Sequence, residues 1–197
     1  MKGCLSLVFK AVVLILVFFG LLHLGVIDWI QEKINNQTSQ EAMIDKTKDV
    51  IDFSNIDEEY TIQKNLNLVK SRMIFAEHNA TGQRFIMLQP KNDSILTKDD
   101  IESEELQDKI NKALSEKQQV IKIDDILITQ RGEMQGIGQT IPYAKAELKI
   151  SGLPIKDQQG IIAVATTKAG KDLLIIAVNE KGKYSQIITD SFFSKVE

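Results

Sequence analysis

The chain has 197 residues, one cysteine, Cys4, and a formal net charge of −3 from 24 Lys and Arg against 27 Asp and Glu. One thiol excludes a disulfide framework and a thiolate metal site, and a mildly acidic chain with no basic block argues against nucleic acid as a partner. With Lys2, Lys10 and Asp28 set aside, the part after residue 30 carries 22 basic and 26 acidic side chains, a charge of −4, on about 167 residues, enough for one domain and too few to expect two.

The first element is "AVVLILVFFGLLHLGVI", residues 11–27, which holds no charged side chain. As a helix it covers about 25 Å, and extension through Trp29 and Ile30 brings it near a hydrocarbon core of about 30 Å. Residues 1–30 therefore read as a cytoplasmic tip and a transmembrane signal-anchor helix. Lys2 and Lys10 precede the span while Asp28 and Glu32 follow it. The positive-inside rule then keeps the N-terminus cytoplasmic and exports everything after Asp28. Trp29 fits the interface, and His23 reads as a neutral imidazole near the headgroups. Gly20 and Gly25 lack the spacing of a cleavage site, so the anchor is expected to stay uncut. Cys4 precedes the apolar run, unlike a bacterial lipoprotein cysteine, and one residue does not decide whether it is acylated. Sequons begin at Asn36, Asn79 and Asn92, but they matter only where a secretory pathway glycosylates. The rich use of Ile, Lys, Asn and Gln reads as bacterial and places the anchor in a bacterial cell membrane.

Residues 31–42 are polar and without period, a juxtamembrane stalk, and 43–197 form the exported domain. Met43, Ile44, Thr47, Val50 and Ile51 recur at three to four residues, as on one face of a short helix. Tyr60 and Ile62, Met73 and Phe75, then Phe85, Met87 and Gln89 alternate as strand residues do, and Asn79 to Gly82 supply the turn of a hairpin over about 69–89. Thr97-Lys-Asp-Asp opens a helix over 97–117 in capping-box fashion, with Leu106, Ile110, Ala113 and Leu114 as its buried stripe. The acidic run at 99–105 complements the helix dipole and lacks the spacing of a calcium loop. Strands follow around the glycines of "RGEMQGIGQT", and two more meet at Lys168-Ala-Gly-Lys. The run Leu173 to Val178 implies a strand covered on both faces. Tyr184, Ile187, Ile188, Phe192 and Val196 recur at helical spacing, and Phe192 and Phe193 read as core.

Chemistry is sparse. The exported part has one histidine, His78, at the tip of the expected hairpin and read as solvated, and no nucleophile elbow or zinc pair accompanies it. The scattered carboxylates offer no pair of readable separation. The most suggestive stretch is the glycine loop, where Gly132, Gly136 and Gly138 could bring main-chain N–H groups to a ligand, with Arg131 and Gln139 as polar handles. Phosphate fingerprints lead into a helix, whereas this loop leads into "IPYAKAELKI", a strand, so a glycine hairpin or bulge is the simpler reading. No cofactor and no metal are expected.

"DFSNIDEEYTIQKN", "GQRFIMLQP", "GIIAVATTKAGKDLLIIAV" and "GKYSQIITDSFFSKV" together resemble the PsbP-like sandwich domains over about residues 50–197, with Tyr60 standing where that family has a tryptophan. The resemblance implies a central antiparallel sheet between helices and a role in binding and assembly. The expected fold class is thus α+β: an N-terminal transmembrane helix, then a single domain with a mainly antiparallel sheet flanked by helices. The expected function is a membrane-anchored extracytoplasmic module that binds a partner protein or envelope component without catalysis. A small-molecule or lipid site between the sheet and the helix at 97–117 is the alternative. An envelope hydrolase, the third reading, requires His78 within hydrogen-bond reach of a Ser and a carboxylate.

Overall fold

Along Tyr60–Asn67, β1, burial alternates with a period of two, Tyr60, Ile62 and Lys64 lying inward of Thr61, Gln63 and Asn65. The computed structural model describes residues 39–67, 71–92, 94, 96–115, 122–151 and 157–197, with the side chains of 109, 112–115, 122–125, 150 and 151 left aside. The further strands are β2 (Ser71–His78), β3 (Gln83–Pro90), β4 (Lys122–Gly136), β5 (Gln139–Ser151), β6 (Gln158–Thr166) and β7 (Asp172–Glu180). All seven pair antiparallel in one sheet of order β1-β2-β3-β7-β6-β5-β4. Two meanders, β1-β2-β3 and β4-β5-β6-β7, are thus joined where β3 meets β7. That seam puts β7 at the centre, and Leu173 to Asn179 are all buried.

Among the described residues, four helices cover the faces: α1 (Gln40–Asp45), α2 (Lys98–Glu102), α3 (Leu106–Ser115) and α4 (Gln186–Ser194). On one face Ile101 of α2 and Leu106 and Ile110 of α3 pack on Phe75, Leu88 and Ile176. On the other, Val50, Ile51 and Phe53 join Phe192 and Phe193 of α4 over Phe85, Met87 and Ile175. Phe85 and Phe192 stack with ring centroids 4.2 Å apart, and Phe193 meets Phe192 edge-on at 5.0 Å. Offset and T-shaped ring pairs add to what burial alone gives, so this cluster fixes the seat of α4.

The α+β class is corrected. Strands carry the architecture, and the helices are few and short, with α3 at ten residues and α2 at five. The stretch expected to be helical over 43–51 leaves the helix after Asp45, where Thr47 turns back to donate its hydroxyl to the Ile44 carbonyl at 2.7 Å. The helix expected over 97–117 breaks at Ser103, which has ψ 133° and whose hydroxyl accepts the Glu105 N–H at 3.2 Å. Serine competes with helix propagation through such local bonds. The strands, in turn, run long: β4 has 15 residues and β5 has 13. Ile187, at helical spacing with Ile188 and Phe192, is 81% exposed. The buried side chains of α4 are Thr189, Phe192 and Phe193.

Among the described residues no helix is long and apolar enough to cross a membrane. The stretch 11–27, Cys4, His23, Trp29 and the stalk up to residue 38 lie outside the described residues, as do the side chains of Ala113 and Leu114.

Candidate functional site

The glycine segment is a β-hairpin. Ile137 and Gly138 form its two-residue turn with φ of 52° and 64°, the pattern of a type I′ connection, whose twist matches the flanking strands. A β-branched residue at positive φ is costly. Ile137 is held there by burial beside Met134 and Phe193 and by its N–H donating to the Phe193 carbonyl at 3.2 Å. Gly136 passes under α4, where a Cβ would stand 2.7 Å from that of Phe193. Gly132 faces Tyr143 across the ladder, and a Cβ there would stand 2.7 Å from the phenol oxygen. Gly132 and Gly136 therefore lie inside a strand and Gly138 in its turn, each with a packing or conformational reason of its own.

Gln139 works as a tie. Its amide oxygen accepts from Thr166 N at 3.1 Å and from Lys98 Nζ at 2.9 Å, while its amide nitrogen donates to Thr166 O at 2.6 Å. The β5–β6 ladder ends at Tyr143 and Ala163, and Pro142 beyond it has no N–H to give. The glutamine amide replaces a peptide unit where the two strands part. Arg131 donates from Nη2 to the Ser103 carbonyl at 2.9 Å and so bridges β4 to the junction of α2 and α3.

Arg131 and Gly132 line an open depression of about 310 Å³ with Glu133, Ile101, Glu102 and Tyr143. Gln139 does not line it, so the structure brings only part of the expected set together. Among the described residues no three His, Cys, Asp or Glu side chains converge as a metal site would require.

The edge of β4 beside this depression is unevenly covered. The Asn111 side chain of α3 meets both main-chain groups of Ile126, accepting from its N–H at 3.3 Å and donating to its carbonyl at 3.4 Å, and the Gln107 oxygen accepts from Ile128 N at 3.0 Å. Ile126 and Ile128 therefore turn their main-chain groups away from β5. A bulge shifts the register between Ile128 and Gln130, which moves the outward positions to Arg131, Glu133 and Gln135, opposite Ala144, Pro142 and Thr140. Among the described residues no hydrogen bond reaches the outward N–H and carbonyl groups of these three. At the opposite edge, the Gln40 amide, oriented to satisfy both its ends, accepts from Ile62 N at 2.9 Å and donates to Ile62 O at 3.3 Å.

His78 is not the solvated turn residue expected. It closes β2 and is 7% exposed, with Nδ1 2.9 Å from the Thr81 hydroxyl and the Tyr60 ring edge-on at 5.1 Å. Glu59 lies 3.8 Å from Nε2, an ion-pair distance rather than a hydrogen bond. The hydroxyl at hand belongs to a threonine that also accepts the Gln83 N–H at 3.3 Å, so the group braces the hairpin turn. At Tyr184, burial raises the phenol well above the ordinary value, against the opposing hydrogen bond from Thr189. It stays a neutral part of the packing under α4.

The chain matches no protein-family model and no curated protein. The signal that sequence reasoning missed is the open edge, because which way a main-chain N–H points after a bulge is not written in residue type. The nearest hint was Pro142, a proline inside a strand.

Proposed function

We propose that this chain is a membrane-tethered, extracytoplasmic binding or assembly module whose partner, a protein segment or an envelope component, docks along β4 at residues 131–135 without catalysis. The observation that carries the reading is the row of unpaired main-chain groups at Arg131, Glu133 and Gln135 beside the depression. An exposed strand edge is a template for an added strand, which proteins otherwise blunt, and the side-chain amides that blunt it at Ile126 and Ile128 stop short of this segment. The uncharged stretch 11–27 behind two lysines supports the tether and the outward orientation. The likeness to PsbP-like sandwich domains points the same way. Against the ligand-site alternative stands the space between the sheet and α3, which Ile101, Leu106 and Ile110 fill at 0–1% exposure.

The test is affinity capture of the full-length protein, gently solubilised from its native membrane, beside a Glu133→Pro variant. The lost N–H is one that faces outward, so the β5 ladder keeps its bonds, while the proline ring stands where an added strand would lie. An unchanged circular dichroism spectrum certifies the fold. The expected result is a reproducible protein partner, an untagged copy of the chain included, that the variant loses. Identical capture by both chains, or recovery of one lipid with no protein, overturns the reading.

A further inference from the structure

We infer that the occupant of the open β4 edge is the same edge of a second copy of this chain, paired antiparallel about a two-fold axis at Gly132. This deepens the proposed function and rests on its reading of 131–135 as a binding edge. Main-chain parity allows this register and charge complementarity selects it. First, hydrogen-bonded partners across a new antiparallel pair must both turn their main-chain groups outward. With Gly132 on the axis, Arg131 meets Glu133 of the other copy, and both are outward positions. Second, the same register sets an arginine opposite a glutamate, and the symmetry repeats the pair on the other side of the axis. Both side chains are exposed, and neither has an ion-pair partner among the described residues.

The remaining features fit a short, bounded contact. Gly132 leaves no side chain at the axis, where Cα atoms of a non-hydrogen-bonded pair come within about 4.5 Å. The bulge between Ile128 and Gln130 and the turn at Ile137–Gly138 end the straight segment on either side. Growth beyond two copies is closed off at this edge, because an isologous contact uses the same patch on both partners.

Charge exchange tests the register. Arg131→Glu places two glutamates opposite each other on both sides of the axis, Glu133→Arg places two arginines there, and the double exchange restores opposite charges. The readout is the molar mass of the full chain in mild detergent, by sedimentation equilibrium over a range of concentrations. The inference expects a wild-type dimer, a dissociation constant raised at least about tenfold in each single variant, and recovery to near wild type in the double variant. A wild type that stays monomeric at every concentration overturns it, and so does a dimer indifferent to all three variants. If the chain is monomeric while Glu133→Pro still loses a captured protein, self-pairing alone has failed. If it is monomeric and capture is also unchanged, the binding edge has failed with it.

Discussion

Two glycines of the sheet differ in what a side chain would meet. At Gly160, opposite Val178, a Cβ would stand 2.1 Å from the Ala177 carbonyl oxygen and 2.9 Å from the Val178 Cα, all main chain of the neighbouring strand. At Gly132 it would meet the far end of the Tyr143 ring, which can swing aside. Gly160→Ala is therefore expected to destabilise by about 2–3 kcal/mol or more, as overpacking in a rigid interior does, and Gly132→Ala by under about 1 kcal/mol. Thermal unfolding of the two variants checks the order, and equal costs would contradict it. Of these conformational roles, the sequence shows Gly82, whose φ of 67° follows from its place in a polar turn. It does not show Gly160, whose need arises only when β6 and β7 pair. Arg131 and Gly132 were legible as candidates because glycines beside an arginine stand out. In the sequence Glu133 is one of several scattered carboxylates, since its relevance depends on the parity set by the bulge.

Among the described residues, side-chain amides meet both the N–H and the carbonyl of one residue at four places. Gln40 does so at Ile62, Asn111 at Ile126 and Gln139 at Thr166. The fourth, Gln83, seats α4: fully buried, it accepts from Ser185 N at 2.8 Å and donates to Ser185 O at 3.0 Å and to Thr189 Oγ1 at 2.9 Å. Gln83→Leu keeps the volume and strands those partners at the start of α4. The expected cost is about 1–3 kcal/mol, with a loosened α4 seen as faster amide exchange over 186–194. A loss spread evenly over the sheet would instead mean that the glutamine serves the β2–β3 hairpin. At this scale local chemistry was readable and long-range chemistry was not. The capping box of Thr97 and Asp100 forms as its residue types dictate, whereas the break at Ser103 and the outward turn of Ile187 depend on where α2, α3 and α4 come to rest on the sheet.

The hairpins of the molecule follow from alternation and turn residues, but their assembly does not. That β3 lies against β7, joining two meanders into one sheet, is a pairing between segments some ninety residues apart in sequence, and hydrophobic period carries no information about it. The same holds for the edges. Strand order makes β1 and β4 the outer strands, and only then does it matter that side-chain amides cover β1 at Ile62 and β4 at Ile126 and Ile128 and leave 131–135 open. The central claim is that this segment is occupied when the protein functions, and backbone hydrogen exchange reads it directly. In dilute detergent the amides of Arg131, Glu133 and Gln135 are expected to exchange quickly, while those of Gln130, Gly132 and Met134, which face β5, are protected. In native membranes all six are expected to be protected. Fast exchange at Arg131, Glu133 and Gln135 in both settings would contradict the account.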